Sequence, residues 1–142
     1  MASLEDEVRA LLDRRSEAMR AKNIDALMSC YSPEVVYFDI VPPLQYVGAA
    51  ALRGRFRNWF DGFEGPIGQD LHDVRILADA DIAVASMLIR SSGTVRGASD
   101  VERWVRTTSA CQRSSSGLLI THEHVSLPVD LETGRVATDS VP

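Results

Sequence analysis

Asp39 is the residue of this chain best suited to proton chemistry. Val35, Val36, Tyr37, Phe38, Ile40 and Val41 surround it in sequence. A carboxylate in such company is either a turn residue at a strand end or an acid facing a cavity. In a cavity, burial disfavours the charged form of a carboxylate and suits it to take and return a proton. Arg106 is a second such group. It stands in Trp104-Val105-Arg106-Thr107-Thr108, where strand alternation puts Trp104, Arg106 and Thr108 on one face. Buried, that guanidinium must be paired or bind an anion; at a sheet edge or a subunit interface it is solvated or shared. The run His122-Glu123-His124 is the third group. A strand points both histidines one way and Glu123 the other. Two histidines can chelate, but spacing supplies no third ligand, so no metal is expected.

Other chemistries lack their residues. Cys30 and Cys111 form no Cys-x-x-Cys pair, and two thiols alone cannot make a structural zinc site. Both are expected as reduced, partly buried thiols. No Gly-rich phosphate loop is present, so no organic cofactor is expected. The net charge of −5 lacks the basic footprint that nucleic acid requires. The acidic, amphipathic stretch Met1 to Arg9 does not read as a secretory signal. No apolar run approaches the roughly 18 residues of a membrane span, and a cytoplasmic location is expected. With 142 residues, 45% of them hydrophobic and 25% charged, the chain is expected to form one domain, 1–142.

The elements that must position these groups follow from periodicity. Leu4 to Ala21 reads as a helix, with Val8, Leu11, Leu12, Ser16 and Met19 at three- and four-residue steps. Ser3 followed by Asp6 reads as its N-cap signal. Asn23 caps a second, short helix that Pro33 ends. Glu34 to Ile40 reads as a strand with Val35, Tyr37 and Asp39 on one face, and Pro42-Pro43 breaks it. Gly48 precedes a third helix, Ala49 to Phe63, striped by Leu52, Phe56, Trp59, Phe60 and Phe63. Gly62, Gly65, Pro66 and Gly68 mark a loop. The period then changes. Leu71 to Leu77, Ala80 to Arg90, Asp100 to Arg113 and Leu118 to Leu127 read as strands joined by short turns, hence antiparallel neighbours. The tail from Pro128 is expected to be irregular. Helices first and a strand meander afterwards make an α+β pattern. Val84, Leu88, Val101, Val105, Ile120 and Leu127 put apolar residues on both sheet faces, so a homodimer packed sheet to sheet is expected.

This element order resembles the ketosteroid isomerase-like superfamily, which includes the SnoaL-like and NTF2-like proteins. The segment Val8 to Pro42 carries much of the resemblance. Asn23-Ile24-Asp25-Ala26-Leu27, then Tyr31, then Glu34-Val35-Val36-Tyr37-Phe38-Asp39 matches the isomerases without a gap, and Gly48 falls in register. The stretch Gly117-Leu118-Leu119-Ile120-Thr121-His122-Glu123-His124-Val125-Ser126-Leu127-Pro128 resembles the last strand of SnoaL-like proteins, and Asp130-Leu131-Glu132-Thr133-Gly134 the tail of one subgroup. The resemblance covers nearly the whole chain and implies an NTF2-like cone: a curved antiparallel sheet and N-terminal helices enclosing a pocket. It is specific for fold and weak for function, since this superfold hosts many activities.

Residue by residue, the resemblance puts Asp39 at the general base of the isomerases. Tyr31 falls on a tyrosine that supports the oxyanion-binding tyrosine, and Arg15 replaces that oxyanion-binding residue itself. Phe56 replaces a third pocket tyrosine, and Thr108 falls near the second oxyanion donor. Both donors are therefore absent. Losing one donor alone typically costs about 10²–10³ in rate, so steroid isomerisation by the usual route is not expected. The same register points Trp104, Arg106 and Thr108 inward with Thr121, Glu123 and Val125, and leaves His122 and His124 outside. Arg106 and Glu123 then pair across adjacent strands. The implied cavity holds Asp39, Glu123, Arg15 and Arg106, with Tyr37, Phe56, Trp59 and Trp104 as wall or as plain core. It suits a small apolar or partly polar organic ligand. The implied function is a cofactor-independent isomerase, cyclase or dehydratase. The alternatives are a non-catalytic ligand-binding or dimerisation module, or epoxide-hydrolase-like water activation by an Asp–Arg–acid set.

Overall fold

The computed structural model describes residues 2–142. Met1, the first residue of the expected domain, lies outside the described residues. Helix α1 spans Leu4–Arg20 and opens on a capping box. The Ser3 hydroxyl accepts from the Asp6 N–H at 3.1 Å, and the Asp6 carboxylate accepts from the Ser3 N–H at 3.2 Å. Its buried stripe is Val8, Leu11, Leu12, Ala18 and Met19, with Arg15 and Ser16 buried beside them. Helix α2, Ile24–Met28, is capped by Asn23, whose Oδ1 accepts from Ala26 N–H at 3.1 Å. It ends before Pro33, which instead lies inside β1 (Tyr31–Phe38). The β1 ladder is irregular between Tyr31 and Val36, so the missing proline N–H removes no ladder bond there.

A six-stranded sheet has the order β2-β1-β6-β5-β4-β3. Its members are β1, β2 (Tyr46–Val47), β3 (Phe63–Asp79), β4 (Ile82–Val95), β5 (Asp100–Ser114) and β6 (Gly117–Ser126). The pairing is antiparallel except that β1 runs parallel to β6. Ladder irregularities between His72 and Arg75, and between Ala110 and Cys111, bend the sheet. Helix α3, Ala49–Asp61, follows Gly48, whose φ of 89° favours glycine.

Two strands run further than periodicity suggests. The expected loop through Gly65, Pro66 and Gly68 is the first part of β3, and the expected turn from Ser91 is the last part of β4. The glycines here serve close approach as well as turning. A Cβ on Gly68 would lie 2.1 Å from Ser92 Oγ, and one on Gly93 would lie 2.7 Å from the Phe63 ring. The tail also departs from expectation, since β7 (Val129–Asp130) pairs with β8 (Arg135–Val136).

Along β4 the alternation is clean. Ala83, Ala85, Met87 and Ile89 are buried, while Val84 and Leu88 turn to the other face. The buried face packs with α1 and α3 around one apolar core. No helix among the described residues is long and apolar enough to cross a membrane.

Candidate functional site

The inner sheet face and the helices enclose a cavity of about 170 Å³. Phe56, Trp59 and Phe63 form one wall, and Ile89, Val105 and Val125 form the sheet side. An apolar cavity of about 150 Å³ accepts a benzene ring, so this one suits a ligand built on one ring.

The floor is a closed ionic cluster. Glu123, on β6, has 0% exposure, and Arg15, on α1, has 2%. Arg15 donates to Glu123 Oε1 from Nε at 3.1 Å and from Nη2 at 2.9 Å. The Tyr31 hydroxyl donates to the same oxygen at 2.6 Å and accepts from Arg15 Nε at 3.0 Å. Ser109 Oγ donates to Glu123 Oε2 at 2.6 Å. A carboxylate offers about four lone-pair sites, so Glu123 is saturated. Burial works to lower the Arg15 pKa, but Glu123 above all, with Tyr31 and Tyr37, holds it above its ordinary value. Burial also pushes the Tyr31 and Tyr37 hydroxyls well up, and Glu123 adds to both shifts. The neighbouring Cys111 thiol rises to about 12, by burial first and Glu123 second.

Two polar atoms here have no partner. Arg15 Nη1 and Thr107 Oγ1 are sealed from solvent and unbonded, and both residues line the cavity. Unsatisfied buried donors are rare in folded chains and call for a missing partner.

The open end is built differently. Asp39 follows β1 with its side chain 8% exposed, and Arg55 of α3 is 18% exposed. Asp39 Oδ2 accepts from Arg55 Nε at 2.7 Å, and Oδ1 accepts from the Ile40 N–H at 2.7 Å. About half of its lone-pair sites stay free. Arg103, exposed on β5, also lines the cavity, and no ion pair engages it among the described residues. Gln69 Nε2 donates to Ser91 Oγ at 2.8 Å, so that lining pair satisfies itself.

The structure therefore brings Asp39, Arg15, Tyr37, Phe56 and Trp59 to one cavity. Tyr31 and Glu123 stand behind its floor. Trp104, Arg106 and Thr108 require correction, because all three face the opposite side of the sheet. Arg106 is exposed and donates from Nε to Ser126 Oγ at 3.1 Å. Trp104 meets the His72 ring edge-on at 4.7 Å, and exposed Thr108 sits opposite His124. The expected Arg106–Glu123 pair does not form; Glu123 pairs with Arg15. The reason is register. Ser109 lies opposite Glu123, so Val105 and Thr107 share its face. From Arg103 to Ser109 both faces mix polar and apolar residues, which leaves alternation unable to choose between them. Thr121 also departs from the inward reading, since the Ala110/Cys111 irregularity takes it out of the ladder. His122 and His124 are on the outer face as expected, around Phe38 at 4.7 and 5.4 Å.

Sequence reasoning missed Arg55, Arg103, Thr107 and Ser109. For Arg55 a signal existed: it lies three residues after Leu52 and four before Trp59, on the edge of the buried stripe. Cys30 and Cys111 are free and buried. Among the described residues no cluster of three His, Cys, Asp or Glu side chains could hold a metal ion.

A family model described as the SnoaL-like domain matches residues 8–130. An NTF2-like protein of unknown function from Pseudomonas putida KT2440 is 28% identical, with a TM-score of 0.88 over 97% of this chain and 96% of that one. Two more distant structures share the fold. A candidate dehydratase of the NTF2-like family from Streptomyces avermitilis is 17% identical, with a TM-score of 0.77 over 86% and 94% of the two chains. A ketosteroid isomerase-like protein from Erwinia carotovora atroseptica is 16% identical, with a TM-score of 0.72 over 84% and 92%. No curated protein matches the sequence.

Proposed function

The chain belongs to the SnoaL-like domain family, and on that premise we propose that it is a small-molecule isomerase, cyclase or dehydratase with Asp39 as general base and no organic cofactor. One observation carries the reading. Asp39 and Arg15 line the same cavity, the first with unused lone pairs and the second with an unpartnered Nη1.

In this reading Asp39 takes a proton from the carbon beside a carbonyl. The C–H electron pair becomes a C=C bond, and the carbonyl oxygen gains the charge. Arg15 Nη1 donates to that oxygen. Returning the proton to another carbon isomerises the ligand; expelling a β-hydroxyl as water dehydrates it. Glu123 already balances the charge of Arg15, so the floor does not demand an anion in the ground state. Its donor gains strength as charge develops on the oxygen, which is the differential binding that accelerates a reaction. Arg55 orients Asp39 through the hydrogen bond from its Nε.

The test uses para-methylacetophenone in heavy water, with exchange of its acetyl protons followed by NMR. Asp39→Asn is expected to slow exchange by about 10³-fold, within the usual range for losing a general base, while circular dichroism stays unchanged and stability changes by about 1 kcal/mol or less. An unchanged exchange rate would remove Asp39 from the mechanism. Binding without exchange in the parent chain would favour the ligand-binding module. Water activation by an Asp–Arg–acid set is less favoured, because Glu123, the remaining acid nearby, is saturated behind Arg15.

The outer sheet face supports self-association into a homodimer. Leu77, Ile82 and Val84 are 78%, 56% and 38% exposed there, on the same face as the His72–Trp104 pair. Sedimentation that returns the monomer mass at micromolar concentration would sink this part. The two free, buried thiols fit a reducing compartment such as the cytoplasm.

A further inference from the structure

The charges around the cavity are not balanced, and the imbalance sits on one residue. Arg15 is neutralised by Glu123, and Arg55 by Asp39. Arg103 lines the cavity with no carboxylate in ion-pair distance among the described residues. The lining therefore carries one uncompensated positive charge, on an exposed residue. At the buried side Arg15 Nη1 and Thr107 Oγ1 keep their hydrogen-bonding capacity unspent. The space between them is walled by apolar and aromatic side chains. A ligand that satisfies all three features has an anionic group, a body of about one ring, and an oxygen acceptor at its far end.

Resting on the reading of this cavity as the substrate site, we propose that it takes a one-ring carboxylate bearing a carbonyl, with the carboxylate on Arg103 and the carbonyl oxygen on Arg15 Nη1 and Thr107 Oγ1. A monoanion is specified because a second negative group in the cavity would add to the charge already carried there by the Asp39 carboxylate. Thr107 thereby becomes a binding residue. In the ligand-free chain its hydroxyl is only a cost, since a buried hydroxyl without a partner forfeits its hydration and gains nothing. A purely structural threonine would show no such conflict between stability and binding.

Three probes separate the parts: para-acetylbenzoate carries both groups, para-ethylbenzoate only the carboxylate, and para-methylacetophenone only the carbonyl. Binding is measured by calorimetry on the parent chain, Arg103→Gln and Thr107→Val. The expected order is para-acetylbenzoate tightest. Arg103→Gln weakens both carboxylates by about five-fold, the scale of one exposed ion pair, and leaves the neutral ketone unchanged. Thr107→Val weakens both ketones by about five-fold, the scale of one neutral hydrogen bond, and leaves para-ethylbenzoate unchanged. The same variant raises the melting temperature of the ligand-free chain. Equal affinity for the neutral ketone and the keto acid, or no response to Arg103→Gln, overturns the proposal. So does failure of all three probes to bind at millimolar concentration. The exchange assay on para-methylacetophenone separates this from the catalytic reading. Asp39-dependent exchange without carboxylate preference sinks the ligand class alone, and carboxylate preference without exchange sinks the base alone.

Discussion

The cavity is bounded by two acid–guanidinium pairs of the same chemistry and opposite character. At the floor, Arg15 and Glu123 are 3% and 0% exposed in their side chains; at the mouth, Arg55 and Asp39 are 18% and 8% exposed. The larger contrast is in what else each carboxylate touches. Glu123 accepts from Arg15, Tyr31 and Ser109 and has no capacity left. Asp39 accepts from Arg55 and one backbone N–H. A saturated buried pair holds elements together, here α1, β1, β5 and β6. A half-occupied pair beside open space keeps acceptor sites available to a ligand. The residue types are nearly the same, and what separates the two pairs is the count of occupied lone pairs.

That contrast is open to attack, most strongly at the floor. Glu123→Ala leaves the Arg15 guanidinium buried without its counter-ion. Breaking one side of a buried pair typically costs about 3–5 kcal/mol, and urea denaturation is expected to show a loss of that order. Asp39→Asn, in contrast, is expected to change stability by about 1 kcal/mol or less, as for a partly solvated pair. Similar losses at both sites would erase the distinction between floor and mouth.

A second comparison uses pH. Tyr31, Tyr37 and Cys111 have pKa values raised by burial, that of Cys111 from 9.0 to about 12. Each is neutral when protonated, so the unfolded chain releases these protons first as pH rises. Stability is therefore full below about pH 9 and is lost progressively toward pH 12. Urea midpoints recorded at pH 8, 10 and 11 are expected to fall in that order. A flat profile would show that water reaches the floor. Arg106→Ala gives the smallest expected effect. The side chain is exposed on the outer face, so stability should stay within about 0.5 kcal/mol of the parent, and ketone exchange should be unaltered. A large loss of exchange would return Arg106 to the cavity.

Much of the architecture was legible in the chain. The Ser3/Asp6 and Asn23 caps, the α1 stripe, and the alternation of Val35 and Tyr37 appear where periodicity puts them, although β1 ends at Phe38 rather than Ile40 and α3 at Asp61, with Phe63 opening β3. Gly65, Pro66 and Gly68 misled, because the same residues that make turns also permit strands to approach closely. Of the residues expected at the cavity, Asp39, Arg15, Tyr37, Phe56 and Trp59 line it, and Arg106 lies on the opposite sheet face. The stretch Arg103 to Ser109 carries polar residues at both parities, and a one-residue slip exchanges every side chain between the two faces.

Sequence by itself determined the local order: which segments are helical, where they begin, and that Asp39 leaves β1 on the same face as Val35 and Tyr37. Those outcomes depend on interactions a few residues apart, which periodicity and capping record. Only the tertiary structure decided that Glu123 belongs to Arg15, 108 positions away, that Arg55 belongs to Asp39, and that Thr107 rather than Thr108 looks into the cavity. Those pairings are set by strand register and helix docking. A single ladder irregularity changes them, and no local pattern of residues encodes where that irregularity falls.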